Sequence, residues 1–464
     1  MGLRRLLFIG LGHLSNGDVS IAADFARQLP PDRFQVCFVT APEVAPHVRA
    51  LGLTAHPLPA SAPGPNLAAF DQLVGEFRPD LFIAADAFTL DYSTAWSGLS
   101  MSLLRERYQL PLASFDQYDY PAADYLVDFY AGHRTRFPRL LDECDLLIRN
   151  SPLNRPAPSA PGVIVTRMVG GGSAPLPVNR PDPTATPSVF LANSRWEYLN
   201  VVRSPGLSEL MRAVPRIIHS HLAALGRPLK VIHIGPVRWD FETAPQIEYR
   251  HLTRLAPPEF HARLVGSDLF LTGNAVSVTL TQAVLAGVPS LLLQNYKVLD
   301  LARLARAGSV PAWLAECAPD LRAAYPFRVY PWGWYEFLSP VLSGNPYPDC
   351  FLTAGLFERR RVLQAMTGLL GDATVRERLR AGQATLLDQL DQLPPAGEAL
   401  AAARFARPVD GPPPAAADLP GPAFRPAIRS PAPGGRDGGT PRTGSGLAGS
   451  PVVAPAPARR QFAG

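Results

Sequence analysis

The sequence predicts an α/β protein built from two doubly wound parallel-sheet domains, and three observations carry that expectation. Short apolar runs of strand length alternate with stretches of helical period in both halves of the chain. Turn-forming residues follow the apolar runs, as at Gly10 to Gly12, at Gly235 and at Thr272 to Asn274. At 464 residues the chain is also two or three times the length of an ordinary domain, enough for two cores.

The first apolar run, residues 6–9, opens into Gly10, Leu11, Gly12 and His13. A helix follows, with Asp18 expected as its N-cap, Val19, Ala22, Phe25, Ala26 and Leu29 at helical spacing, and Pro30 and Pro31 as the stop. Residues 34–40 read as the second strand. A glycine loop between them invites a dinucleotide reading, but the spacing is not G-x-G-x-x-G and the second strand ends in Thr40 instead of an acid. Helices at 43–51 and 67–77, a strand at 80–84 followed by Asp86, a strand at 112–115, a helix at 134–143 and a strand at 145–149 continue the alternation.

Residues 154–187 are dense in proline and are expected to connect the domains, with one short apolar piece at 163–169. The expected organisation is a first domain over 1–153, this connection, a second domain over 188–394 and a tail over 395–464. In the second domain a strand at 189–192 leads to Asn193, Ser194 and Arg195, and a strand at 230–234 leads to Gly235 and Arg238. A strand at 249–252 carries His251 and Leu252, and residues 268–293 read strand, polar turn, helix, strand. Helices at 356–370 and 375–393 close the fold. Residues 313–347 are rich in aromatics without period, which fits the cap of a core, with pocket lining as the alternative.

Composition excludes several classes. Eight arginines against four acids fall in residues 395–464, so four of the formal net charge of +5 sit on the tail and the body is near neutral. No basic face is left for nucleic acid. The tail, rich in Pro, Ala, Gly and Arg, is expected to be disordered. Four cysteines far apart give neither a metal knuckle nor a disulfide framework. With no signal-peptide core and no run of eighteen apolar residues, the expectation is a soluble cytoplasmic protein without a transmembrane segment.

Open α/β sheets bind ligands at the carboxyl ends of their strands, where a helix N-terminus favours anions. The turn at Gly273 and Asn274, with Ser277, Thr279 and Gln282 in a helix expected to begin near Ala275, is such a cradle. Arg195 and Arg238 follow strands at the same end and can pair with a phosphate or carboxylate, a surface charge being the alternative. His13 and Asp86 both follow strands of the first domain. A histidine oriented by a carboxylate is suited to taking a proton from a hydroxyl or amine. The plainer alternative is that His13 satisfies loop backbone groups and Asp86 caps the next helix.

Together these features resemble the nucleotide-sugar glycosyltransferases of the GT-B fold over roughly residues 3–393. The resemblance implies two Rossmann-like domains facing a cleft, with His13 in the Gly10, Gly12 loop as general base and Asp86 as its partner. It makes residues 274–289 the donor motif for the diphosphate and ribose, with the base near His251 and Leu252. Counted back from Gly287, the plant-type motif carries His, Gly, Ser and Glu where this chain has Asn274, Val276, Thr279 and Gln282, and its closing Asp-Gln has no counterpart at Asp300 and Leu301. A narrower resemblance to cytosylglucuronic acid synthases of nucleoside-antibiotic pathways suggests a uronic acid donor facing Arg195 or Arg238. The implied reaction is inverting transfer from a UDP-linked sugar to a small-molecule acceptor, the nucleotide sugar being a substrate, with no cofactor or metal. Two alternatives stay open: a degenerate binding or partner protein, and a sugar-nucleotide epimerase, which needs paired carboxylates.

Overall fold

Seven strands make the first sheet and six the second, all parallel, in a computed structural model that describes residues 3–13, 16–59, 61–119, 126–127, 135–136, 140–168, 185–195, 197, 207–295, 306–308 and 338–404. In chain order the first half carries β1 (Arg4–Gly10), β2 (Phe34–Thr40), β3 (Ala55–Pro57), β4 (Leu81–Ala84) and β5 (Leu112–Phe115). A small antiparallel pair, β6 (Leu126–Val127) and β7 (Thr135–Arg136), stands apart, and β8 (Leu146–Arg149) and β9 (Val163–Val165) complete the sheet. Its order is β3-β2-β1-β4-β5-β8-β9. The second half carries β10 (Ser188–Ala192), β11 (Leu229–Ile234), β12 (Ile247–Leu252), β13 (Leu269–Thr272), β14 (Ser290–Gln294) and β15 (Leu352–Gly355), in the order β12-β11-β10-β13-β14-β15.

The strands are apolar on both faces because both faces are covered, as parallel sheets require. Leu6 and Phe8 pack under the helix Gly17–Arg27, where Phe8 stacks on Phe38 at 4.7 Å and Phe25 meets Phe115 edge-on at 5.5 Å. Leu7 and Ile9 point the other way, into a cluster with Phe82, Leu104 and Tyr108 that continues to Phe190, Phe270 and Leu280 of the second half. Each such fully buried side chain contributes about 1.5–3 kcal/mol. The halves therefore share apolar core, and Asn345 Nδ2 adds hydrogen bonds to the carbonyls of Pro152 and Leu153 at 2.9 and 3.1 Å.

Each sheet reverses its winding once. In the first, the chain builds outward from β1 through β2 to β3, then returns to place β4 on the other side of β1. The second does the same from β10, with β13 as the returning strand. The ends of β1 and β4, and of β10 and β13, thus flank topological switch points, where the diverging connections leave a crevice.

Several expected elements differ. Val163–Val165, expected within the connection, is the edge strand β9 of the first sheet, so that domain extends past residue 153. The expected helix over 134–143 contains strand β7 at Thr135–Arg136. Pro395 does not begin an unstructured tail: it precedes a helix, Ala396–Ala402, whose Ala396, Ala399 and Leu400 are buried in the cluster under Leu6 and Phe8. Period alone misses this helix because an alanine-rich segment of about two turns carries little pattern. The rest of the tail, 405–464, lies outside the described residues, as do 313–337 of the aromatic-rich segment and Cys317. From that segment, the described Tyr347 is fully buried and its hydroxyl lies 3.2 Å from that of Thr281. Cys37, Cys144 and Cys350 are buried free thiols. Among the described residues no helix is long and apolar enough to cross a membrane.

Candidate functional site

A cleft of about 890 Å³ opens where the two switch points face each other. His13, Asp18, Glu43, Asp86 and Gln117 line its first wall, and Asn193, Arg195, Glu197, Asn274, Ser277, Thr279 and Gln282 its second.

The first wall is set by how β1 ends. Gly10 is tightly enclosed, since a Cβ there would stand 2.6 Å from Val19 Cγ2, so the chain passes against the helix Gly17–Arg27 and delivers His13 to the cleft. The His13 ring is half-buried and meets Trp96 edge-on at 6.3 Å. Burial lowers its pKa first, the Glu43 charge raises it, and the Arg195 charge from the opposite wall lowers it again. The net shift favours the neutral ring.

Asp86 follows β4, the strand paired with β1, and is 4 % exposed. It caps the helix Ala87–Ser97, its Oδ1 accepting from the Thr89 N–H at 2.6 Å. The capping reading thus holds and the residue lines the cleft as well, while the charges that act on His13 are those of Glu43 and Arg195. Its charge acts on Asp18. That residue is not the helix N-cap expected, a place taken by Asn16, but sits in the first helical turn. Asp18 Oδ1 accepts from Gln117 Nε2 at 3.4 Å, while Oδ2 is fully buried with no partner among the described residues. Burial, then the Asp86 charge, push the Asp18 carboxyl well above the usual range, against the Gln117 hydrogen bond. Both causes favour the protonated form of the Asp18 carboxyl.

The second wall departs from a free helix end. The helix is Val278–Leu285, capped by Ser277, so it begins three residues after Ala275. Residues 274–277 form a turn whose own side chains take the backbone N–H groups. Thr272 Oγ1 accepts from Asn274 N at 3.1 Å, Asn274 Oδ1 from Val276 N at 3.0 Å, and Ser277 Oγ from Thr279 N at 3.2 Å. An Asx-type turn competes locally with the helix and delays it. Gly273 lies behind the lining, its carbonyl accepting from Gln294 Nε2 at 2.6 Å.

Sequence reasoning missed Glu197. It is 3 % exposed, and its Oε2 accepts from Asn193 Nδ2 at 2.6 Å while Oε1 accepts from Ser194 N at 3.1 Å. The available signal was the Ser194-x-x-Glu197 spacing of a capping box. The Asn274 side chain also hydrogen-bonds to it, and burial raises its pKa to about 7 despite these donors. Asn193 Oδ1 in turn accepts from His233 Nε2 at 3.0 Å, whose Nδ1 faces the Tyr249 hydroxyl at 2.8 Å.

Arg195 lines the cleft and is exposed. Arg238 is not among the lining residues; it is exposed and its charge acts on Tyr249. His251 and Leu252 also stand outside the lining. His251 donates through Nε2 to the Gly235 carbonyl at 2.9 Å, which leaves Gly235 at the cleft edge and the ring behind it. Gly12 stands 3.4 Å, from an ideal Cβ, to Asp18 Oδ2. Among the described residues no group of three or more His, Cys, Asp or Glu is placed to hold a metal.

The chain is similar to the spinosyn forosaminyltransferase SpnP, at 14% identity and a TM-score of 0.50, covering 86% of this chain and 98% of that one. It is also similar to the calicheamicin glycosyltransferase CalG4, at 16% identity and a TM-score of 0.48, covering 86% and 98%. The first of these supports the GT-B arrangement already visible in the two sheets. No curated protein matches the chain. A family model described as a family of unknown function, DUF6365, matches residues 25–407, and the chain belongs to that family.

Proposed function

We propose that the protein is an inverting glycosyltransferase that moves a sugar from a nucleoside diphosphate to a small-molecule acceptor. The supporting observation is that one cleft joins two switch points, with the neutral base His13 on one wall and Asn274, Ser277, Thr279 and Gln282 on the other. The fold shared with a protein named as a forosaminyltransferase adds to it.

In this reading His13 takes the proton of the acceptor hydroxyl or amine as that atom attacks the anomeric carbon. The bond to the diphosphate breaks on the opposite face, and the nucleoside diphosphate leaves with the bonding electrons. Asp86, one strand over, stabilises the imidazolium. The end of the helix Val278–Leu285 and Arg195 supply positive potential to the leaving group, so the reading calls for no metal ion. Of Arg195 and Arg238, Arg195 is the one available to a uronic acid donor, since Arg238 lies outside the cleft lining. UDP remains the nucleotide of the proposal.

Asp18 and Asp86, both lining the cleft, favour a second reading, a sugar-nucleotide epimerase, because a carboxyl with a raised pKa beside a carboxylate can give and take protons at a sugar. Incubation with UDP- and dTDP-sugars, UDP-glucuronic acid included, separates the readings. Saturable binding with slow release of free nucleotide, lost in His13→Ala, is the expected result. A stereoisomeric sugar without nucleotide release favours the epimerase, binding without turnover a partner protein, and the absence of nucleotide binding overturns the proposal.

A further inference from the structure

The two turns flanking the second switch point meet at one buried carboxylate. Glu197 follows β10 and Asn274 follows β13, and the Asn274 side chain hydrogen-bonds to Glu197. The Glu197 carboxylate is buried and lines the cleft, and all its partners are neutral: Asn193 Nδ2, the Ser194 N–H and Asn274. Among the described residues no cation pairs with it. Ser277 and Thr279, the residues proposed for the diphosphate, line the same wall. A diphosphate and an ionised Glu197 would therefore share one wall, where the carboxylate is buried and the cation of the same turn, Arg195, is solvent-exposed, so that the two anions repel through a medium of low dielectric.

We infer that Glu197 is a specificity-determining residue for the proposed donor: it takes up a proton when an anionic diphosphate binds beside Asn274, so nucleotide binding and protonation of this wall are one event. The inference rests on the nucleotide-sugar reading above. Asn193, Ser194 and Asn274 all donate to the carboxylate and favour its ionised form, so the proton comes with the anion: a protonated Glu197 keeps one oxygen as acceptor and offers an O–H donor from the other. A donor at that point recognises a phosphate oxygen, whereas an ionised carboxylate rejects it. Burial already holds this carboxyl near neutrality in the free protein, at about 7.

The other charged groups around it do not mask the linkage. Arg195 stands on the same turn and Arg254 at the cleft edge. His233 on β11, reached through Asn193, is held near 4 by burial first and then by the His251 charge. His251 on β12 is engaged with the Gly235 carbonyl, and the turn after β13 contributes no charged residue. Across the cleft stand His13, whose pKa is lowered, Glu43, and the Asp18 and Asp86 pair.

Titration calorimetry of UDP and dTDP, between pH 7.5 and 9 and in buffers of different ionisation enthalpy, tests this. In that range the terminal phosphate, with a pKa of about 6, is already ionised. The expected result is proton uptake approaching one per nucleotide, and an affinity that falls about tenfold per pH unit. Glu197→Gln should bind with no proton uptake and a flat pH profile, and more tightly than the wild type at pH 8.5. Uridine, which lacks phosphate, should show no uptake. Intact nucleotide binding by the wild type without proton uptake overturns the inference and leaves the donor reading standing, and it needs no variant. An unchanged pH slope in Glu197→Gln overturns it equally. If neither nucleotide binds the wild type at any pH, the donor reading fails and the inference falls with it.

Discussion

The charge of Arg195, in the turn after β10, reaches the ring of His13, in the loop after β1, across the cleft. A residue from one half thus helps set the protonation of a residue from the other. Burial favours the neutral imidazole, Arg195 reinforces it, and Glu43 works against both.

Removing that charge should raise the His13 pKa. If His13 is the base, the acid limb of the pH profile for kcat/KM reports its loss by protonation. Arg195→Ala is expected to move that limb to higher pH, and Glu43→Gln to lower pH, as read from initial rates between pH 5 and 9.

Asp18 gives a stability prediction with a definite sign. Its folded-state pKa is raised, by burial first and by Asp86 second. The group therefore binds its proton more tightly folded than unfolded. Its contribution is fully present below the usual carboxylate pKa and is lost as pH rises through the folded value. Asp18→Asn, which cannot ionise, should melt at a temperature that declines less than the wild type's between pH 5 and 8. An identical decline in both proteins would remove Asp18 as the cause.

Gly10 tests the close approach that delivers His13. A Cβ at Gly10 would meet Val19 Cγ2 at 2.6 Å, within a core that leaves Val19 1 % exposed. Gly10→Ala should lose about 1–3 kcal/mol in chemical denaturation, the usual cost of overpacking. Combining it with Val19→Ala, which vacates the clashing methyl, should cost less than the sum of the two single changes.

How much of this was legible in the sequence depended on what each feature rests on. Apolar runs marked β1, β2, β4, β5 and most strands of the second sheet, because strands buried on both faces have no polar alternation to confuse them. The edge strands β9 and β15 were harder: Val163–Val165 is three residues long in a proline-rich setting, and Leu352–Gly355 is partly exposed. In the site, His13, Asp86, Ser277, Thr279 and Gln282 could be found because strand ends are where ligands bind. Glu197 had only the capping-box spacing to mark it and Asp18 only the look of a helix cap, since their behaviour comes from burial and from partners at Asn274 and Asp86 that lie far along the chain. Arg238, in a loop, and His251, on β12, show the opposite failure, where a position near the right strand ends stands outside the cleft lining.

The helix Ala396–Ala402 belongs to the body. It returns to the first sheet, burying Leu400 at 1 % exposure, and the Arg404 carbonyl accepts from Gly162 N at 2.9 Å. A chain ending at Arg404 should be more stable than one ending at Pro394 by about 2 kcal/mol or more, the worth of a buried leucine with its neighbours. Equal melting temperatures for the two would show that the helix contributes nothing.

The central claim is that one cleft holds a nucleotide diphosphate on the Asn274 to Thr279 wall, opposite His13. A crystal structure with UDP bound tests it most directly. The account predicts phosphate oxygens within hydrogen-bond distance of Ser277 or Thr279, with the terminal phosphate facing His13 across the cleft. UDP bound elsewhere, or with its phosphates turned away from the helix Val278–Leu285, would contradict it.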